Sequence, residues 1–397
     1  MAYPTAIGCG CLLGAGGASP LHAAQWAIQP LLSWEADYDT SRSLGPDVAA
    51  SEQAVLTADV QLRRSLENVQ FMLEPRFDVR RFSDEVWGPG DDRSLAGSFS
   101  WTSERSSLSA NASIANQNTL TTELLETGLV NTNTRRRLET ASVELDLAKT
   151  EEHLFFTQVS YLGSNYSGPA NVELLLPGYR YESAAVGERF ILTEHWTVSA
   201  SAFGDILHSD RAGGSSHEAG AQFEISYTRS ERYNFDLQVG ESRRVLSQEV
   251  GIDGAGNPIF GGAANFGTNV SATATRNFEL SSVSLNYTRS LVPYGNGFLV
   301  QRQLVTATAR HSLSPYLDAD LGITRIENND STVRLGLDRR FYDNIGGGLN
   351  WKVSESWTLR SEGSTSWVPP IGSLHTVHEW RAALTMTWKP TATVISR

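Results

Sequence analysis

The chain has very little sulfur. Its two cysteines, Cys9 and Cys11, both lie in the opening run AIGCGCLLGAGGA, and only three methionines occur in 397 residues. That run, followed by SPLHAAQW, reads as a secretory signal peptide over residues 1–24, with a small-residue cleavage site at Ala23 or Ala24. Once it is removed no thiol remains, so a disulfide framework and a cysteine metal site are both excluded, and passage through an oxidising compartment is harmless. Beyond the N-terminus no stretch reaches the roughly 18 consecutive apolar residues of a spanning helix, which excludes a helical membrane protein. Basic residues are also short: 32 Lys and Arg stand against 44 Asp and Glu, a net charge of −12, and the one basic run, Arg135 to Arg137, reads as a loop end. Nucleic-acid binding through phosphates needs clustered cations and is excluded.

Catalytic signatures are equally scarce. There is no G-x-S-x-G nucleophile turn, and the Gly-rich stretch GIDGAGNPIFGGAANFG carries neither a phosphate-binding lysine nor a following helix. His153, His195 and His311 stand beside turns and read as interfacial residues, and His375 and His378 point to opposite faces of a strand. The chain therefore reads as a non-enzyme with no metal and no cofactor.

What the sequence has in abundance is period-two alternation. In AVLTADVQLRR, Ala54, Leu56, Ala58, Val60 and Leu62 fall on one face and Thr57, Asp59, Gln61 and Arg63 on the other. In VQFMLEPRFDVRRF, Phe71, Leu73, Phe77 and Val79 oppose Glu74, Arg76, Asp78 and Arg80; in ASVELDLAK, Val143, Leu145 and Leu147 oppose Glu144 and Asp146. Such segments run from about Trp26 to Trp388 with no linker. Short polar turns fall at 65–68, 103–106, 150–152, 193–195, 230–232, 278–280, 312–315 and 354–356. Longer Gly-, Asn-, Asp- or Pro-rich connections fall at 40–51, 83–92, 119–135, 165–178, 209–215, 248–264, 293–298, 328–341 and 368–375.

Eight short turns and nine long loops join 18 strands with both ends on the short-turn side, the pattern of an all-β, antiparallel up-and-down transmembrane barrel; 16 strands remain open if 179–192 or 328–341 is misread. A soluble sandwich would fill its apolar face with bulky residues, whereas here many apolar positions are alanine, as at Ala200, Ala202, Ala272 and Ala274. Closing the sheet satisfies every backbone group inside a bilayer. The organisation is a leader at 1–24, a barrel at 25–389 in the bacterial outer membrane, and a polar tail at 390–397.

Aromatic residues mark the two interfaces: Trp196, Tyr233, Tyr316 and Trp357 follow short turns, and Trp87, Trp367 and Trp380 lie toward the opposite ends. In the last strand Trp380, Ala382, Leu384, Met386 and Trp388 share a face, with Lys389 to Arg397 following. The opposite faces supply the lumen-facing candidates Asp59, Arg63, Glu74, Arg76, Asp78, Arg80, Glu144, Asp146, Glu224, Asp236, Asp318, Asp320, Arg360, Glu362 and Arg381. Both signs occur on neighbouring strands, and no one-sign ring of cations or anions marks an ion filter.

The length, leader, strand rhythm and early SWEADYDTSRS followed by AVLTADVQL resemble the β-barrel porin family found with exopolysaccharide and PEP-CTERM gene clusters. Tyr38 and Asp39 match the start of that family's Tyr-Asp-Asp-Asn-like segment, and Thr40 and Ser41 depart from it. The resemblance implies a conduit or accessory in export of an extracellular polysaccharide, with outer-membrane lipid, polysaccharide and periplasmic export components as partners. It transfers no catalytic residue. A general diffusion porin for small hydrophilic solutes fits the same strand pattern; a barrel enzyme and a purely structural barrel fit it less well. A long loop, 119–135 or 248–264, is expected to fold inward and narrow the lumen.

Overall fold

A computed structural model describes residues 25–396 apart from 41–49, 84–89, 120–133, 169–175, 211–214, 253–257, 295–296, 330–338 and 369–376. The leader, Trp87 and most of the 119–135 connection lie outside the described residues. Eighteen long strands follow one another: β1 (Gln25–Asp39), β2 (Ser51–Ser65), β3 (Val69–Phe82), β4 (Gly90–Thr102), β5 (Ser106–Asn118), β6 (Arg135–Ala148), β7 (His153–Ser167), β8 (Tyr179–Ile191) and β9 (Trp196–Ser209). The second half comprises β10 (Ser215–Arg229), β11 (Tyr233–Ile252), β12 (Pro258–Asn277), β13 (Ser281–Pro293), β14 (Leu299–Ser314), β15 (Leu317–Asn329), β16 (Arg339–Lys352), β17 (Trp357–Val368) and β18 (Val377–Trp388). A four-residue strand, β19 (Thr393–Ser396), follows.

Each strand pairs antiparallel with its neighbours in sequence, and β18 pairs back onto β1 from Leu32↔Trp388 to Asp39↔Arg381, closing the wall. Strands about 4.8 Å apart and tilted by about 40° close at this number into a barrel roughly 35 Å across. The segment at 179–192, whose alternation is blurred, is a full strand, so the count is 18.

The burial pattern is inside-out. Val186, Phe223, Trp380 and Val159 are among the many large hydrophobics left exposed, while the buried set is dominated by polar residues such as Arg136, Ser164, Ser216 and Glu218. Strand β2 shows the period directly, with Ser51, Gln53, Val55, Thr57 and Asp59 buried and the intervening residues exposed. In water that outer surface would be an aggregation hazard; around a closed wall with no free edge it is a lipid-facing belt. The protein is an outer-membrane β-barrel. Trp196, Tyr233, Trp357, Trp380 and Tyr316 are exposed, Tyr316 in the turn before β15, and Trp367 and Trp388 share their strands' outer faces by register.

Two elements differ from the sequence reading. Residues 248–252 and 258–264 are strand rather than loop: β11 and β12 stay paired from Tyr233↔Arg276 to Ile252↔Pro258, past a register shift at Glu249/Gly251. Their glycines and small residues weaken the strand signal without preventing main-chain pairing. The tail at 390–397 is not detached either. Thr393–Ser396 pair with Gln25–Ile28, continuing the line of β18 along β1 after a break. Proline explains the break: Pro30 and Pro390 both lack the N–H a ladder needs, and the Gln29 amide instead donates to the Pro390 carbonyl at 2.9 Å.

Candidate functional site

The register places all fifteen lumen-facing candidates on the inner face, opposite the exposed hydrophobics: Asp59 and Arg63 on β2, Glu74, Arg76, Asp78 and Arg80 on β3, Glu144 and Asp146 on β6. Glu224 on β10, Asp236 on β11, Asp318 and Asp320 on β15, Arg360 and Glu362 on β17 and Arg381 on β18 share that face. They form distinct groups rather than one site.

The longest group spans β15, β17, β18 and β1. Arg360 donates to both oxygens of Asp320 at 2.7 and 3.0 Å and to Glu362 at 3.1 Å. Glu362 lies 3.6 Å from Arg381, which reaches Glu35 at 2.7 Å and Asp37 at 3.3 Å. Gln53 extends the chain by donating to Asp37 at 3.0 Å. The sequence places a strand, β16, between Asp320 and Arg360, yet the side chains meet because β16 is glycine where they cross. A Cβ on Gly348 would lie 3.2 Å from Arg360 Nη2 and 2.8 Å from the Ser361 carbonyl oxygen. Gly348, on the inner face of β16, thus clears a path for the guanidinium.

Smaller groups surround it. Arg76 and Thr57 both bond Asp78, and Gln61 bonds Glu74 at 3.0 Å. Asp92 accepts from Arg80 and Arg135 at 3.3 and 3.4 Å. Asp318 accepts from Arg310 at 2.6 Å and Ser312 at 2.7 Å. On β6, β10 and β11 the carboxylates bond neutral donors: Asp146 with Ser107, Glu224 with Ser199 and Asp236 with Asn234.

Sequence reasoning missed two buried groups near the long-loop end. Glu218 is held by Arg244 at 3.3 Å, Asn269 at 2.8 Å and Ser242. Arg136, almost wholly buried, donates to Ser164 at 2.8 Å and to the Tyr179 hydroxyl at 3.1 Å. The basic run at 135–137, read as a loop end, is therefore the start of β6, with Arg136 turned into the wall.

Something must cover these residues, and the strand pairing identifies it. β12 pairs with β13 only between Val270↔Arg289 and Asn277↔Ser282, whereas β13 and β14 remain paired to Pro293↔Leu299. The β13–β14 tip therefore leaves the wall. Its Leu291 and Leu299 pack in one buried cluster with Leu162, Tyr179 and Leu207, the inner-face residues of β7, β8 and β9, supported by Leu138, Tyr166 and Tyr181. Tyr294, Phe298 and Val300 are buried with them. The turn is closed by hydrogen bonds from Tyr294 N–H to the Phe298 carbonyl and from Gly297 N–H to the Tyr294 carbonyl, both 2.9 Å. Gly297 sits at φ +81, and a Cβ there would collide with Ser209 Oγ and Pro177, so glycine is required by conformation and by space. Among the described residues the element that narrows the lumen is thus the β13–β14 tip, through Leu291, Tyr294, Phe298, Leu299 and Val300. The paired residues of 248–264 lie in the β11–β12 hairpin, and 120–133 lie outside the described residues.

No family model and no curated protein matches the chain by sequence. Solved structures similar to it include Acinetobacter baumannii OccAB3, at 12% identity and a TM-score of 0.47 over 92% of this chain and 99% of that one. Pseudomonas aeruginosa OccK2 (OpdF) has 12% identity and a TM-score of 0.49 over 92% and 98% of the two chains. Pseudomonas aeruginosa OccK9 (OpdG) has 10% identity and a TM-score of 0.49 over the same shares.

Proposed function

We propose that the barrel is a passive outer-membrane channel for small hydrophilic solutes. The observation that carries this reading is the β13–β14 tip folded onto the inner faces of β7–β9, which narrows a lumen whose wall is otherwise polar and ion-paired. A wall with many half-exposed hydrogen-bonding groups lets a hydrated solute exchange partners as it moves, without a tight site that would stop it. A narrowed passage suits small solutes better than a hydrated polysaccharide chain, so the porin alternative gains over export, which rests on the resemblance alone.

The test is single-channel recording of the purified protein in planar bilayers, with secreted polysaccharide measured in a deletion strain. The reading expects steady ohmic openings and unchanged polysaccharide secretion. A folded barrel that carries no current, or loss of polymer from a deletion strain with an intact envelope, would refute it.

A further inference from the structure

We infer that the channel favours solutes carrying a cationic and an anionic group together, and that they pass along the Asp320–Arg360–Glu362–Arg381–Glu35 ladder. The inference rests on the channel reading and names its substrate class. Two observations carry it.

The first is position. In the ring of strands β8 lies half-way round from β17. The ladder climbs from Asp320 and Arg360, three residues from the short-turn ends of β15 and β17, to Arg381 and Glu35, four residues from the long-loop ends of β18 and β1, where the cluster that seats the hairpin stands on the opposite wall. The passage left by the hairpin is bounded by the upper end of the ladder and continues along the rest of it.

The second is the ladder's make-up. Its signs alternate from residue to residue along the ladder through contacts of 2.7, 3.1, 3.6 and 2.7 Å. Its side chains are neither sealed nor free: Arg360, Glu362 and Arg381 are 37%, 32% and 34% exposed and so within reach of the lumen. The two terminal nitrogens of Arg381 carry its contacts, Nη2 to Glu35 and Asp37 and Nη1 to Glu362, and the longer of these, 3.3 and 3.6 Å, are the ones a solute carboxylate can replace.

A lone anion approaching either arginine meets the flanking carboxylates, and a lone cation approaching a carboxylate meets the flanking guanidinium. A dipolar solute meets neither penalty. From Arg360 to Glu35 neighbouring rungs are set by one strand spacing or two residues along a strand, about 5–7 Å; Asp320 reaches Arg360 across β16. A solute whose ammonium and carboxylate lie that far apart can bond a carboxylate and a guanidinium at once, exchanging existing ion pairs for equivalent ones as it moves. Half-exposed pairs of this kind are worth about 0.2–1 kcal/mol each, and the upper part of that range, about 0.4–1 kcal/mol, is a preference of about two- to fivefold and no trap.

The test uses liposome swelling with the full-length protein and four solutes of similar size: δ-aminovalerate, whose charges fall at that separation when extended, its N-acetyl derivative, its amide, and an uncharged polyol. Wild type is expected to pass δ-aminovalerate about two- to fivefold faster than either singly charged analogue. The Arg360→Gln/Arg381→Gln variant, left with carboxylates alone, should prefer the cationic amide; Glu362→Gln, which keeps shape and both arginines, should weaken the zwitterion preference. Equal rates for the zwitterion and its charged analogues, or a preference that survives the double arginine change, would overturn the inference while the channel reading stands. If no solute enters, the polyol included, both fall together.

Discussion

Freeing the β13–β14 tip should widen the channel without unfolding the wall. Leu207 has no exposed surface and Leu162 has 7%, and both belong to the cluster that seats the hairpin. Replacing one buried leucine by alanine costs about 2–5 kcal/mol, so Leu162→Ala/Leu207→Ala removes roughly 4–10 kcal/mol from docking. A shift of about 5.5 kcal/mol carries a two-state equilibrium from 1:99 to 99:1, so the double variant should populate the undocked hairpin heavily. The wall should survive, because the main-chain pairs Leu207↔Tyr181, Leu207↔Ser216 and Leu162↔Thr140 do not depend on side-chain size. The assay is single-channel conductance together with the largest saccharide that swells proteoliposomes, and a gel-mobility shift on heating serves as the control for folding. Conductance and size limit should both rise while the heat shift stays as in wild type. Wild-type conductance from a correctly folded double variant would refute the reasoning, since the hairpin would then be docked by something other than this cluster or would not bound the passage.

Three further outcomes follow from the geometry. Gly348→Ala puts a Cβ 2.8 Å from the Ser361 carbonyl oxygen and against the Arg360 guanidinium, and should lower the urea midpoint by an amount equivalent to about 1–3 kcal/mol, whereas the same change at Gly322, where the nearest atom would be 3.9 Å away, should leave it unchanged. Truncation after Lys389 removes the four β1–β19 residue pairs; at about 0.5–1.5 kcal/mol per hydrogen bond, the barrel should lose its heat-resistant gel mobility at a lower temperature than the full chain. Phe223→Arg places a charge on the exposed outer face of β10 and should cost about 2–4 kcal/mol of folding into lipid vesicles if the site lies near the bilayer midplane, whereas Gln222→Arg on the inner face should fold normally.

The sequence by itself determined the barrel. Closure and the identity of the inner face follow from a side-chain period of two and from the bilayer's demand that every backbone group be paired, both of which are local or global rules that need no coordinates; 18 strands rather than 16 was decided by the fold, where Tyr179–Ile191 pairs on both sides. Leu162, Tyr179 and Leu207 also leave a readable trace, as bulky residues on a face that is otherwise polar, but only their partners across the lumen explain them. The Arg360–Asp320 bridge was hidden because it depends on one glycine, Gly348, in the strand between. The hairpin was hidden because its connection is short and loop length says nothing about where pairing with β12 stops. The tail was misjudged because four polar and β-branched residues form a strand only when an edge is left for them, and that edge arises where Pro30 and Pro390 break the seam. Which side chains share a sheet face is written in the chain's own period; which of them meet across a strand or across the lumen is fixed only when the wall closes and sets their distances.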